Sequence, residues 1–261
     1  MNSFSDIARL YLNNRTVRPK TARSIVMVSE SCQEISSKKI NAFLIGFSKR
    51  RTPDTVQKYQ KTFLALWRWG WENGHIVDPP RGVMKVTISA GQVRAWTPAQ
   101  LQDIMAQAQK SPKRLQSGPE LKWLLRTWIY LGYETGARMG DLWRMRYSDI
   151  DGDTVRWVMG KTGDPMYRIL SQDCLKSLNS MPHEDNDVIL GRWCSQGTGI
   201  LHMRTLLRET GVPGSSKWLR RSGATHVEIE APGSGRLFLG HRSHNIADRH
   251  YFDRGQIQQD S

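Results

Sequence analysis

Apolar side chains in residues 53–73 fall at three- and four-residue steps. Val56, Tyr59, Phe63, Leu66 and Trp67 make one stripe, while Lys58, Lys61 and Arg68 lie elsewhere on the surface. That period predicts a long amphipathic helix from Pro53 to about Asn73, stopped by Gly74. Shorter helices are expected near Phe4–Leu12, from Thr21, and after the cap signals Ser36 and Ser37. From Asp78-Pro79-Pro80 to Arg94 the periodicity fades and proline and glycine accumulate, so this stretch reads as a linker. The expected organisation is a helical domain over residues 1–80, a linker over 81–96 and a second domain over 97–261.

The second domain opens with Thr97-Pro98-Ala99-Gln100. Thr97 can cap a helix, Pro98 suits its first position and Gln100 can close a capping box, so a helix to about Gln109 follows. Another apolar-rich helix is expected over Pro119–Tyr133, broken by Thr135-Gly136 just before Arg138. The period then changes: Thr154–Met159 and Pro165–Leu170 are β-favourable runs around the turn 160–164, predicting a hairpin. Helices resume from about Ser171, over Gly199–Thr210 up to Gly211, and over Ser216–Glu230. No internal repeat is present. The fold class expected is mainly α (α+β): a helical bundle, then a helical domain with a small β-hairpin or sheet.

Charge narrows the partner. The 261 residues carry 38 Lys/Arg against 24 Asp/Glu, a formal net charge of +14, which points to a polyanion, above all nucleic acid. Residues 1–90 hold 15 of the basic and 6 of the acidic residues, so most of the excess lies in a third of the length. Arg15, Arg18, Lys20, Arg23, Lys49, Arg50, Arg51 and Lys58 gather at helix entries and turns, which suits phosphate contacts. The aromatic run Trp67, Trp69, Trp71 could stack bases, but packing is the simpler reading. No run approaches the roughly 20 apolar residues of a membrane span, and the start of the chain lacks a secretory pattern. A cytoplasmic protein, associated with the nucleoid of a prokaryotic host, is expected. Cys32, Cys174 and Cys194 are far apart and without a C-x-x-C, so reduced, buried thiols are expected rather than disulfides or a zinc site.

Four separated segments of the second domain carry candidate chemistry. They are Glu134-Thr-Gly-Ala-Arg138-Met-Gly-Asp141-Leu142, Lys161 at the hairpin tip, Lys217-Trp-Leu-Arg220, and Leu239-Gly240-His241 with Tyr251 ten residues on. Lys217 and Arg220, three apart, share a helical face. Two arginines, lysine, histidine and tyrosine without a carboxylate cluster describe a site for a phosphodiester rather than a metal. Paired guanidinium groups can hold nonbridging oxygens and stabilise the charge that grows on them. Lys or His can move protons, and a phenol that becomes covalent preserves the energy of the broken ester for rejoining.

The strings ETGARMGDL, KWLRRSGATH and LGHRSHNIADRHYFD together resemble the tyrosine recombinase (phage integrase) family over roughly 97–255. The amino-terminal part is similar to that family's core-type DNA-binding domain. The resemblance implies a site-specific recombinase of mobile genetic elements, acting on DNA integration through a covalent 3′-phosphotyrosyl intermediate. It needs no cofactor and no metal, and works as a homotetramer on two DNA sites. Arg138 matches the first catalytic arginine and Asp141 a supporting acid that orients it. Lys161 matches the hairpin lysine that protonates the 5′-oxygen leaving group, and Lys217 and Arg220 the H/K-x-x-R element. His241 matches the histidine of the L-G-H turn and Tyr251 the nucleophile. Lys217 stands where many members have His, and His241 to Tyr251 is one residue longer than the commonest interval, an excess expected to be absorbed at 242–245.

Plainer readings stand beside these. An ordinary solvated hairpin also shows a lysine like Lys161, Asp141 could simply neutralise a neighbouring arginine, and Arg221 competes with Arg220. His241, His244, His250 and Asp248 lack a preformed ligand spacing, so no metal is assigned. Tyr130, Tyr133, Tyr147 and Tyr167 compete with Tyr251, but only Tyr251 follows the L-G-H turn. Two other functions fit the same residues: type IB topoisomerase-like DNA relaxation, and a noncatalytic DNA-binding relative.

Overall fold

The computed structural model describes residues 3–89, 91–116, 118–241, 247 and 250–259, and divides into two compact units, Met1–Ala90 and Gly91–Ser261. The first unit contains α1 (Phe4–Asn13), α2 (Pro19–Ser31), α3 (Ser37–Ser48) and α4 (Pro53–Glu72). Ser3 caps α1 in a capping box with Asp6, Ser36 caps α3 through the Lys39 amide, and proline begins α2 and α4. The stripe of α4 turns inward as its period requires: Val56, Phe63, Leu66 and Trp67 pack with Phe4, Ile7, Val28, Ile40 and Leu44. Trp67 and Trp69 are core, whereas Trp71 is 43% exposed.

The stretch expected to link the domains is divided between the units. Asn41 donates to the Gly82 carbonyl (2.9 Å), Gln60 to that of Met84 and Gln57 to that of Val86, and Val83 and Val86 pack on the first core. Polar side chains on α3 and α4 thus satisfy a backbone that has no ladder of its own. At the other end, fully buried Trp96 belongs to the second core.

The second unit contains α5 (Pro98–Gln109), α6 (Leu121–Thr135) and α7 (Met139–Leu142). Strands β1 (Ile150–Asp151), β2 (Thr154–Val158) and β3 (Pro165–Ile169) follow, then α8 (Gln172–Asn179), α9 (Gln196–Thr210) and α10 (Lys217–Glu230). Two short helices, α11 (Ser234–Phe238) and α12 (Arg254–Gln259), complete the described elements. Thr97 and Gln100 form the expected capping box. The sheet is antiparallel in the order β1-β2-β3, with Thr154 opposite Ile169 and Val158 opposite Pro165. The expected hairpin is present, extended by the two-residue β1, which is too short to leave a period. Helix α9 starts at Gln196 rather than Gly199, because the Ser195 hydroxyl accepts from the Thr198 amide. Among the described residues no helix is long and apolar enough to cross a membrane.

Helix α6 is the central rod, packed by α5, α8 and α10 and buried along Leu124, Leu125, Trp128 and Leu131. It meets α10 at a crossing where both helices use glycine. A Cβ on Gly132 would approach Leu219 Cδ1 to 2.9 Å, and one on Gly223 would overlap the Tyr133 carbonyl oxygen. Backbone cannot yield as a side-chain tip can. Gly223→Ala should therefore destabilise the second unit by about 1–3 kcal/mol, read as a melting temperature several degrees lower by calorimetry. An unchanged melting temperature would contradict this close crossing.

Candidate active site

Chain punctuation positions the first arginine. Helix α6 ends at Gly136 in the left-handed region (φ 59°), where a Cβ would also overlap the Phe238 ring. The chain leaves that turn through Arg138, which precedes α7. Arg138 Nη1 donates to the Met159 sulfur (3.1 Å), and Nη2 lies 3.5 Å from His241 Nε2.

Arg220 approaches from α10 and is only 8% exposed. Its Nη1 donates to the Gly136 carbonyl and its Nη2 to the Leu239 carbonyl (3.0 Å), with His241 Nε2 3.3 Å away. Burial pushes its pKa down to about 10, with the Tyr251 phenol opposing and Arg138 adding to the fall, so it remains a cation at neutral pH. Among the described residues neither Arg138 nor Arg220 forms a salt bridge with a carboxylate. Carbonyl dipoles hold Arg220 and the Met159 sulfur and His241 hold Arg138, none of them cancelling the charge, which leaves a positive field open to an anion.

His241 follows Gly240, which has φ 64° and lies so close to the sheet that a Cβ would approach Met166 Sδ to 2.8 Å. Both guanidinium contacts reach its Nε2. A guanidinium only donates, so Nε2 carries the lone pair and a neutral ring holds its proton on Nδ1. That Nδ1 is buried and without a hydrogen-bond partner among the described residues. Burial lowers the His241 pKa to about 4, assisted by Arg220, Arg138, Lys161 and His250.

Tyr251 completes the cluster. Its ring stands edge-on to His241 at 4.9 Å between centroids, and the Arg220 guanidinium lies 4.9 Å from its centroid. Arg138, Lys217, Arg220 and Tyr251 line one cleft of about 410 Å³, together with Ser216, Arg221 and His250. Lys217 is exposed at the start of α10, and Lys161 is exposed at the hairpin tip, near enough to act electrostatically on His241.

Asp141 departs from its expected role of orienting Arg138. Its Oδ1 instead accepts from the Arg144 guanidinium and the Gly160 amide (3.0 Å), tying α7 to the start of the hairpin turn. The plainer expectation, that it neutralises a neighbouring arginine, matches this geometry. Arg221, the competitor of Arg220, also lines the cleft. Two cleft neighbours escaped the motif reading. Met159 is a core-type residue whose only signal is its place just before the turn, and the sequence offers His250 only as a possible metal ligand. Residues 242–245, expected to absorb the longer interval, and His244 and Asp248 lie outside the described residues.

None of the competing tyrosines lines this cleft. Tyr147 donates to the Leu178 carbonyl, stacks on His183, and is pushed by burial to about 12. Tyr133 bonds His226, burial also raises Tyr130, and Tyr167 is exposed on the outer sheet face. The thiols are free: Cys174 is buried, but Cys32 and Cys194 are only partly so. Among the described residues no three His, Cys, Asp or Glu side chains gather as metal ligands. In the first unit the eight basic residues expected to contact DNA are all exposed. The Arg15 guanidinium lies over the Tyr11 ring and that of Arg51 over Phe47, cation–π contacts made on the exposed surface.

No family model and no curated protein matches the chain. Solved structures do. A lambda integrase dimer bound to a COC′ core site is similar with a TM-score of 0.78 at 21% identity, over 98% of this chain and 79% of that one. A lambda integrase tetramer bound to a Holliday junction is similar with a TM-score of 0.77 at 21% identity, over 97% and 77%. The Tn1549 transposon integrase in complex with circular intermediate DNA is similar with a TM-score of 0.72 at 11% identity, over 99% of each chain. The mainly helical fold with its small antiparallel sheet is the fold of these integrases.

Proposed function

We propose that this chain is a tyrosine recombinase that cleaves and rejoins double-stranded DNA through Tyr251. The observation that carries the reading is the placement of the Tyr251 ring against both Arg220 and His241, in a cleft where Arg138 and Arg220 have no carboxylate partner among the described residues. The fold shared with integrases bound to DNA supports it.

In this mechanism Arg138 and Arg220 hold the nonbridging oxygens of the scissile phosphate and stabilise the charge that develops there. The Tyr251 oxygen attacks phosphorus, the bond to the 5′-oxygen breaks, and a 3′-phosphotyrosyl ester forms. Lys161 gives the departing oxygen its proton, so a 5′-hydroxyl leaves. His241, neutral at physiological pH and against the phenol ring, accepts the tyrosine proton. Substrate phosphate between the guanidiniums offsets the cations that depress His241 and raises its basicity as the proton must move. Attack by a 5′-hydroxyl of the partner duplex reverses each transfer and restores the phosphodiester. Lys217 adds a further cation at the rim. The exposed basic residues of the first unit, Arg15, Arg18, Lys20, Arg23, Lys49, Arg50, Arg51 and Lys58, grip backbone phosphates, and four protomers on two sites carry out the exchange.

Wild-type protein should form a covalent complex with a nicked suicide duplex, and Tyr251→Phe should lose it while keeping its affinity for DNA. Tight binding without an adduct from wild type would instead favour a noncatalytic binder. Supercoil relaxation without any synaptic assembly in sedimentation would favour a topoisomerase.

The depressed pKa of His241 favours its neutral form in the fold. Its contribution to stability is therefore complete above about 6.5 and declines as pH falls towards 4. NMR of the imidazole should place its titration near pH 4 in the free protein and higher with duplex bound. An ordinary value in the free protein would show that the ring is neither buried nor set among cations as described.

Affinity should fall steeply with salt. Replacing Arg50 and Arg51 with alanine should flatten the log–log slope by about 1.8, at roughly 0.9 per lost phosphate contact. An unaltered slope would remove them from the interface.

A further inference from the structure

Tyr251 is followed by two buried residues, Phe252 (5% exposed) and Asp253 (6%). Phe252 packs in a small cluster with Ala224, Phe238 and Leu239, and Gly235 of α11 lies so close that a Cβ there would come within 2.7 Å of the ring. Asp253 is a buried carboxylate that forms no salt bridge among the described residues. N–H groups satisfy it instead: the Ala95 amide (2.9 Å) and Gln256 Nε2 (3.3 Å) donate to Oδ2, and the Gly255 amide (3.2 Å) to Oδ1. Its own amide donates to Thr225 Oγ1 (3.0 Å), and that hydroxyl donates to the Tyr251 carbonyl (3.4 Å). Gln256 also donates to the Ala95 carbonyl, while the Trp96 amide donates to Ser222 of α10.

This network joins the Tyr251 segment, α10, and the chain entering the second unit at 95–96. A carboxylate only accepts, and here it gathers three donors that an apolar residue would leave unsatisfied, which is a reason to bear the cost of burying a charge. Thr225 lies on the helix that carries Lys217 and Arg220. The backbone around the phenol is therefore referenced, through one buried hydroxyl and one buried carboxylate, to the element that presents the phosphate-binding arginine.

We propose that Asp253 and Thr225 are positioning residues that hold Tyr251 in the cleft of its own chain, in register with Arg220. Neither touches the reacting atoms. The proposal rests on the reading of Tyr251 as the nucleophile. Displacing a nucleophile by about 1 Å costs on the order of 100-fold in rate, so the expected effect lies in the chemical step and not in binding.

The test is the single-turnover rate of covalent complex formation on the nicked suicide duplex, with the dissociation constant for the same DNA measured in parallel. Asp253→Ala should slow adduct formation about 10- to 100-fold and leave the dissociation constant within about twofold. Thr225→Val, which keeps the volume and removes the hydroxyl, should act in the same direction, and Thr225→Ser should restore the rate. The Thr225 pair also carries the test if Asp253→Ala does not fold. A substrate with bridging sulfur in place of the 5′-oxygen, a better leaving group, should not rescue Asp253→Ala, because the defect lies in attack. A lower final yield of adduct at the wild-type rate would mean loss of folded protein only and would overturn the proposal, as would wild-type rates in both Asp253→Ala and Thr225→Val. A wild-type protein that forms no adduct would instead overturn the nucleophile reading, and this proposal with it.

Discussion

The buried guanidinium of Arg220 is the constraint on which the second unit is organised. Moving a cation out of water is expensive unless its donors are met, and here the carbonyls of Gly136 and Leu239 meet Nη1 and Nη2, while the buried Nε has no hydrogen-bond partner among the described residues. One carbonyl belongs to the turn that ends α6 and the other to the turn that ends α11. The arginine thereby fixes the places from which Arg138 and His241 emerge. Stability and electrostatics come from the same contacts: carbonyls satisfy the donors but bring no negative charge, so the site stays prepared for an anion.

His241 sits at the centre of that field. A histidine in water would be partly protonated near neutral pH, whereas one between two guanidiniums is held neutral with its lone pair directed at them. The arrangement keeps an imidazole beside the phenol without adding another positive charge. Asp141 takes a different part. By receiving Gly160 and Arg144 it stabilises the base of the turn that projects Lys161, so the acid serves the lysine's loop rather than the arginine it was expected to orient.

Much of this was legible in the chain. Residues with strong local signals, such as the Thr97 capping box, the α4 stripe and the Gly136 break, appear where their local chemistry demands, because each is decided within a few neighbours. The elements that escaped are those too short for any period: α7, α11, α12 and β1 exist by virtue of tertiary packing. Within the site, the motif spacing singled out Arg138, Arg220, His241 and Tyr251, which the fold gathers. It could not reveal that Asp141 also receives the Gly160 amide, that Met159 supports Arg138, or that Asp253 ties Tyr251 to α10. Those pairings depend on which surfaces meet, and no sequence interval encodes that. Nor does periodicity show that side chains of α3 and α4 capture the backbone of residues 82–86.

The oxygens that clasp Arg220 are main-chain atoms. Such a clasp is inherited with the path of the backbone rather than with any particular side chain, so substitutions nearby can accumulate without unfastening it. A fold fastened this way leaves its side chains free to vary, and the similar structures share its architecture at only 11–21% identity.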